Sequence, residues 1–532
     1  MKSIENWIVA ATCIVLVIVL SNFFNHTTAL KHLDSVFLFE SSLSVIESGQ
    51  PTSRTVASWP DVLKTLTVPA ETLCQSDFER KGTQTYNVFD NHAYTALYPI
   101  SLLTALGGPE LTFAFLNALA HVLLLIIPFV FLRRQGGVLL PSLAFVLCVA
   151  LYPAWSYSAI GDYYLDRLYM PFALLSLYFM HAIVCRDGEE SVRRLLIGFV
   201  VSTIMAALFT ERAAIMMMGT IVFFLLFFPQ VRKSTEIRNA MLALLALLGA
   251  YLFFYFRFVF EGIEGGGGLL DNALIVLHDP LQRLQVPGLV PFFLVNLLFI
   301  GIFVPLAGFR YLALVIGAMM PNLLISIGGA ELNGWSTHYH AMYLPFFIFA
   351  ASIGYLRLIH RFNARIGRAT LPLIVCAYAI LVIGYLNPYT GKFENNFLAS
   401  FKDNAIGKIS SYYIDPQNSY ERYASGLLRS LDQIIPQGAK VSAIEGVMPA
   451  LYRSRYLSLY PIDMNSADFL VISGTASDRQ VTSVSGATSY LGKLQMETLN
   501  RCLSKRMIAN GFVLFKDIPS LGVLVFKRTQ DN

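Results

Sequence analysis

The chain of 532 residues reads as an all-α polytopic membrane domain, with about eleven transmembrane helices, followed by a smaller C-terminal α/β domain. Three observations predict this. Hydrophobic residues make up 55% of the chain and charged residues 14%, where soluble domains carry roughly 25% charged residues, and the mean hydropathy is +0.57. Long apolar runs recur up to residue 387, after which the composition turns polar. Lys and Arg gather in alternate loops, as the sidedness of membrane proteins requires. So little polar surface cannot clothe one soluble core. The same figures exclude a disordered chain, a secreted disulfide scaffold and a nucleic-acid-binding domain.

A spanning helix needs about 20 mostly apolar residues. The first span is Trp7 to Phe24. No small-residue cleavage pattern follows it, so it reads as a retained anchor and not a signal peptide. A long polar stretch runs from Asn25 to about Asn91, and the first external loop extends over 25–109. Within it, Ala93 to Leu106 is apolar but short, which fits a re-entrant or interfacial helix. Ten further spans are expected at 110–132, 138–154, 168–185, 194–209, 212–228, 238–260, 289–307, 310–327, 341–357 and 369–387. Cys13, Cys148 and Cys376 lie inside spans and Cys185 closes one. Cys74 and Cys502 lie in polar regions and would pair only if both face an oxidising compartment.

With the N-terminus cytoplasmic, the inner loops hold Arg133 and Arg134; Arg186, Arg193 and Arg194; Arg232, Lys233 and Arg238; Arg310; and Arg357, Arg361, Arg365 and Arg368. The short outer loops hold little beyond Arg167, Arg212 and Arg283. The odd span count then places residues 388–532 outside. Four short β-type runs are expected there, at Lys440–Glu445, Asp468–Ser473, Phe512–Phe515 and Leu521–Phe526, and Tyr490–Ala509 has helical spacing. The run Gly265 to Gly268 falls in an outer loop and reads as a mobile linker.

Ionisable groups at membrane depth are costly and tend to carry function. Here the unusual ones share the outer side. Asp34 follows the first span; Asp90 and His92 precede the short helix; Asp162, Tyr164, Asp166 and Arg167 precede the fourth span. Glu211 and Arg212 stand between two spans with almost no loop, and His338 and His340 precede the tenth. Each has an ordinary reading as well. Asp34 would cap the following helix, the Asp162–Arg167 group would form an internal salt bridge, and Glu211 with Arg212 would be a solvated turn. His338 and His340, two apart, would share a face only on an extended segment and make a weak metal pair. The shared side is the stronger argument.

No Walker loop, GxGxxG, GxSxG or HExxH occurs, so the sequence does not point to nucleotide hydrolysis. A carboxylate at the membrane surface can deprotonate an acceptor hydroxyl. A neighbouring Arg can hold the phosphate of a lipid-linked donor. Together these describe sugar transfer from a polyprenyl-phosphate carrier, with Asp34 as base and Arg212 or Arg167 on the phosphate.

The layout resembles the GT-C superfamily of integral-membrane glycosyltransferases, and more closely a branch of predicted membrane proteins within it. The resemblance rests on four segments, Asp90-Asn91-His92 with the residues to Pro99, Gly161 to Asp166, Thr210 to Ala214, and His338 to Phe346. Val441 to Ala443 and Ala467 to Val471 add to it. Tyr164 stands where the family pattern has His, and Thr210-Glu211-Arg212 where it has Lys-Glu-Asp. The resemblance implies inverting transfer at the periplasmic face of a bacterial inner membrane. The donor would be a polyprenyl-phosphate-linked sugar and the acceptor a glycan of O-antigen or lipopolysaccharide type, or another surface lipid or glycan. A divalent cation is compatible with it. Asp90, His92, Asp162, Tyr164, Asp166, Glu211, His338 and His340 would then line the site. The rival readings are a glycan polymerase or ligase, and a lipid-linked sugar flippase. A flippase would place charges at mid-membrane in repeated halves, and no internal repeat is seen.

Overall fold

The computed structural model describes residues 2–31, 33–58, 61–62, 78–80, 85–90, 92–185, 189–260, 300–324, 340–362, 370–385, 404–454, 456–473, 475–477, 480–483 and 503–529. His338, the run Gly265 to Gly268, Cys74 and Cys502 lie outside these residues.

Apolar runs become helices because a backbone in hydrocarbon must satisfy its own polar groups. In chain order these are α1 (Lys2–His26), α2 (Leu33–Ser48), α3 (Leu97–Gly107), α4 (Pro109–Arg134), α5 (Leu139–Leu151), α6 (Pro153–Ile160) and the single turn α7 (Leu165–Leu168). They continue with α8 (Met170–Val184), α9 (Glu189–Ala207), α10 (Glu211–Phe227), α11 (Pro229–Lys233), α12 (Thr235–Phe254), α13 (Phe309–Leu324), α14 (His340–Phe362) and α15 (Thr370–Tyr385). Local signals set the ends. Gly108, at φ +78°, breaks α3 from α4, and Pro109 opens α4 where a missing N–H costs nothing. Thr210 and Ser234 cap α10 and α12 by accepting from Arg212 N–H and Ile237 N–H.

Each expected span has helical structure in its described part, although 289–307 is described only as a 3-10 segment, Ile300–Ala307. Among the described residues five helical segments are long and apolar enough to cross a membrane: Trp7–His26, Pro109–Arg134, Leu165–Val184, Thr235–Val259 and His340–Arg361. A sixth is added if α5 and α6, bent by 61° at Tyr152–Pro153, count as one. Three of the others fall short in length: α10 has 17 residues, and α13 and α15 have 16 each. The chain is a multi-pass membrane protein on this evidence. The short helix α3 turns Leu102 and Leu106 outward, at 70% and 86% exposure, as an interfacial helix would.

Helix α14 is the most enclosed of the candidate spans. It packs against Ile300–Ala307 so closely that a Cβ on Gly354 would lie 1.8 Å from the Phe303 carbonyl oxygen. Glycine is required there by backbone approach.

The C-terminal unit begins with α16 (Ala405–Ile414) and α17 (Tyr420–Ile434) and includes the turn α18 (Met448–Leu451). Its sheet holds five strands in the order β4 (Tyr456–Leu459), β3 (Lys440–Ala443), β5 (Phe469–Ser473), β9 (Val523–Arg528) and β8 (Phe512–Ile518). β3 runs parallel to both β4 and β5, while β9 is antiparallel to β5 and β8. Four of these are the runs read from sequence. β4 was not foreseen, because four residues before Pro461 give too short a signal. Two small ribbons pair β1 (Thr52–Ser53) with β2 (Tyr86–Asn87) and β6 (Thr475–Ser477) with β7 (Gln480–Ser483). The helix expected over Tyr490–Ala509 is seen at 503–509, its earlier part lying outside the described residues.

This unit sits over the end of the bundle that carries Asp34. Ser425 and Arg429 donate to the carbonyls of His26 and Asn25 at the close of α1. Tyr413 Oη donates to Val19 O at 2.8 Å, and Ala405 N–H to Ser156 Oγ at 2.7 Å.

Gly354→Val is expected to lower the yield and melting temperature of detergent-solubilised protein, since overpacking a filled site costs roughly 1–3 kcal/mol or more. Gly219→Ala, where a Cβ meets nothing within 4 Å, should melt with the wild type. Equal melting of the two variants would contradict the close approach of α14 to Phe303.

Candidate functional site

The acidic and basic residues singled out from the sequence meet at one rim of the bundle. They reach it from the end of α1, the segment before α3, the turn between α6 and α8, and the α9–α10 junction.

The segment 161–167 is the centre of the arrangement. Lys31, 3% exposed, places its ammonium 2.6 Å from Ile160 O and 2.7 Å from Gly161 O, over the ring of Tyr163 at 5.2 Å. Tyr163 is held by Ser35 Oγ, which accepts its N–H at 3.0 Å, and its hydroxyl donates to Phe24 O at 2.9 Å. Arg167 Nη1 donates to the carbonyl of Asp162. A Cβ on Gly161 would come within 2.7 Å of Arg167 Nη2, so the guanidinium and this backbone are in close contact. The guanidinium also lies 5.0 Å from the Tyr164 ring centroid.

Out of this clamp comes Tyr164, whose hydroxyl donates to Asp34 Oδ2. Asp34 is exposed, in the first turn of α2. Burial, then the charges of Asp34 and Asp162, push the Tyr164 phenol well above the usual tyrosine range, with Arg167 acting the other way. The phenol therefore stays a hydrogen-bond donor at neutral pH.

A second network is continuous with the first through the turn α7, where Asp166 and Arg167 are adjacent and each 1% exposed. Asp166 Oδ2 meets Arg212 Nη1 at 3.5 Å, and Arg212 Nε lies 3.7 Å from Glu211 Oε1. Glu211 accepts from Ala93 N–H at 3.0 Å, and its Oε1 lies 3.1 Å from His92 Nδ1. The α3 end is locked to the same place by Ala96 N–H on Leu208 O at 2.9 Å. Tyr94 joins the two networks. It is buried, stacks on His92 at 4.8 Å, and lies in the fields of Asp166, Arg212, Glu211 and Asp34. Burial first, then those carboxylates, push its phenol well above its ordinary value, Arg212 opposing.

Lys31 and Tyr94 were missed in the sequence reading. A lone Lys after a span and a Tyr in an aromatic run carry no distinguishing signal. Glu40, on α2, is a scaffold residue: it accepts from Ser53 Oγ and Thr55 Oγ1 at 2.6 Å each and from Thr55 N–H at 3.0 Å.

The remaining predicted residues are less central. Asp90 ends the 3-10 turn Val88–Asp90 and is half-buried. His340 is buried at the start of α14, its Nδ1 2.9 Å from Tyr343 Oη. Tyr169, one turn past Asp166, donates to Met342 O and so ties α14 to the same rim. Among the described residues no group of three or more His, Cys, Asp or Glu is placed to hold a metal ion. A cavity of about 710 Å³ lies elsewhere, between Arg54, Arg80 and Thr85 on one side and the C-terminal sheet on the other.

Burial lowers the Lys31 ammonium from 10.5 to about 7, aided by Arg167 and Lys408 and opposed by Asp162. Between these values the folded chain binds fewer protons than the unfolded chain, so stability rises with pH across that window. Wild-type protein should therefore gain thermal stability relative to Lys31→Met from about pH 7 to about pH 9. A difference in melting temperature that stays constant with pH would contradict the buried, titrating lysine.

No protein-family model matches the chain, and no curated protein matches it. Among solved structures it is similar to ArnT from Cupriavidus metallidurans bound to undecaprenyl phosphate, with a TM-score of 0.48 and 11% identity over 99% of this chain and 98% of that one. The apo form of the same protein gives a TM-score of 0.47 and 12% identity over 98% of each chain.

Proposed function

We propose that the protein is an integral-membrane glycosyltransferase that moves a sugar from a polyprenyl-phosphate carrier to an acceptor hydroxyl at the periplasmic face of a bacterial inner membrane. The observation that carries this is the exposed carboxylate of Asp34, aimed by Tyr164 and set beside the buried network of Arg212, Asp166, Glu211 and His92. A surface carboxylate next to a partly buried guanidinium supplies a base and an anion ligand within one rim.

In this reading Asp34 takes the proton of the acceptor hydroxyl. The acceptor oxygen attacks the anomeric carbon from the side opposite the phosphate. The bond from that carbon to the phosphate oxygen breaks, and the polyprenyl phosphate leaves with the electron pair. One displacement inverts the configuration. Arg212 holds the departing phosphate; its side chain is 19% exposed, and Asp166 and Glu211 fix its direction. The two arginines weighed for that role separate here. Arg167, 1% exposed with its Nη1 on the Asp162 carbonyl, is assigned to positioning Tyr164. His92, Asp90, Asp162 and His340 shape the surrounding rim, and a divalent cation is an addition the transfer assay with and without chelator would test. The acceptor is a surface glycan or lipid, of lipopolysaccharide type in the reading closest to the sequence.

Asp34→Asn should reach the membrane and lose transfer by on the order of 100-fold or more, the size of a general-base contribution, read as radiolabelled sugar released from the carrier. Full transfer by that variant would remove Asp34 as base. Product mass separates one added sugar from a polymer. Arg212→Ala should raise the apparent KM for the donor well above the effect of Arg357→Ala, which lies at the opposite side. Equal KM values for the two variants would take the phosphate from Arg212.

A further inference from the structure

The cavity of about 710 Å³ belongs to neither network. Its volume lies within the roughly 300–1,000 Å³ usual for ligand sites. One wall is the first external segment, with Arg54, Arg80 and Thr85; the other is the C-terminal sheet, with Lys440 on β3, Tyr456 on the edge strand β4, and the turn Asp463 to Ala467.

The walls are built and held together. Arg80 donates from Nε and Nη2 to Asp463 Oδ2 at 3.2 and 2.9 Å, and from its backbone N–H to Asp463 Oδ1 at 2.9 Å. Its Nη1 donates to Arg54 O at 3.0 Å. Asp463 N–H donates to Phe78 O at 2.6 Å and Leu459 N–H to Ser58 Oγ at 3.1 Å. Sequence positions almost four hundred residues apart are thereby fixed in one pocket.

Its chemistry is selective. Among the described residues three cationic side chains line it, Arg54, Arg80 and Lys440, against one carboxylate, that of Asp463. Two acids stand close by: Asp468 receives the Lys440 N–H and Glu79 receives Ser466 Oγ. Two further cations flank the same turn: Arg528 donates to Met464 O and Asn465 O, and Arg506 lies over the Phe78 ring. The balance of these groups is positive, five to three. Tyr456, 44% exposed, offers a ring face with Lys440 Nζ 5.8 Å from its centroid.

We propose that this pocket binds an acidic oligosaccharide, one bearing carboxylate or phosphate groups. The electron-rich face of Tyr456 takes the C–H face of a sugar ring. Lys440 and Arg54 take the anionic substituent by charge-assisted hydrogen bonds, and Arg80, already fixed by Asp463, keeps the wall in place. This rests on the proposed transferase: the ligand is the acceptor glycan, held by the soluble unit while its hydroxyl reaches the rim.

The test is binding to the full chain in nanodiscs without donor lipid, so that it reports the pocket whether or not transfer occurs. Trigalacturonate is titrated against neutral maltotriose and inorganic phosphate. The expected result is trigalacturonate binding at least 10-fold tighter than either, with a loss of at least 10-fold in Lys440→Glu and in Tyr456→Ala at unchanged melting temperature. Absence of trigalacturonate binding, equal binding of maltotriose, equal binding of phosphate alone, or unchanged affinity in the two surface variants would each overturn the proposal. Loss of transfer in Asp34→Asn with binding intact would leave both readings standing.

Discussion

Two oppositely charged residues, Asp166 and Arg167, sit side by side on one turn at the rim and almost wholly out of water. Taking an ion out of water costs several kcal/mol unless it is paired and hydrogen-bonded. The compensation is shared out over the rim. Asp166 is met by Arg212, Arg212 by Glu211, and Glu211 by His92 and the Ala93 N–H. Arg167 is met by the Asp162 carbonyl and the Tyr164 ring. The partners of Arg167 come from its own turn, whereas Asp166 depends on the α9–α10 junction and the segment before α3, so its charge is tolerated only when those stretches arrive together. Apolar helix contacts alone are non-directional and would leave the rotation of each helix open. The polar network supplies the direction.

The legible part of the fold was the part written in local sequence. Apolar runs such as Pro109–Arg134 and His340–Arg361 announce themselves, and the alternation of Arg133, Arg193, Arg232, Arg310 and Arg357 places their ends by side. The gathering of Asp34, Asp166, Glu211 and Arg212 on one side followed from that alternation, with no knowledge of contacts. What was not legible was pairing across the chain. Nothing in the neighbourhood of Lys31 says that its ammonium will meet a carbonyl more than a hundred residues on. The same limit hid the different surroundings of Arg167 and Arg212, which look equivalent in sequence: Arg167 is 1% exposed against the Asp162 carbonyl, while Arg212, its side chain 19% exposed, lies between Asp166 and Glu211.

The C-terminal sheet illustrates a related limit. β3, β5, β8 and β9 carry enough branched and aromatic residues to be read directly. β4 is a four-residue edge strand whose inner residues, Leu457 to Leu459, are buried partly against the segment that follows α2. Its place is set by parallel pairing with β3 on one side and by Ser58, from the other end of the chain, on the other. The C-terminal unit is thus not an independent appendage: the segment after α2 completes one side of it, and the two share the Arg80–Asp463 ion pair.

The sharp turn between α5 and α6 has an electrostatic result. Proline at 153 lacks the N–H that would continue the ladder, so α6 starts afresh at 61° to its predecessor. Every helix carries partial negative charge on its terminal carbonyls. A straight continuation of α5 would have aimed that pole 61° away from its present direction. Redirected, the pole of α6 ends on the Lys31 ammonium, so that a kink in one hydrophobic helix becomes a counter-charge for a cation buried behind the rim that carries Asp34.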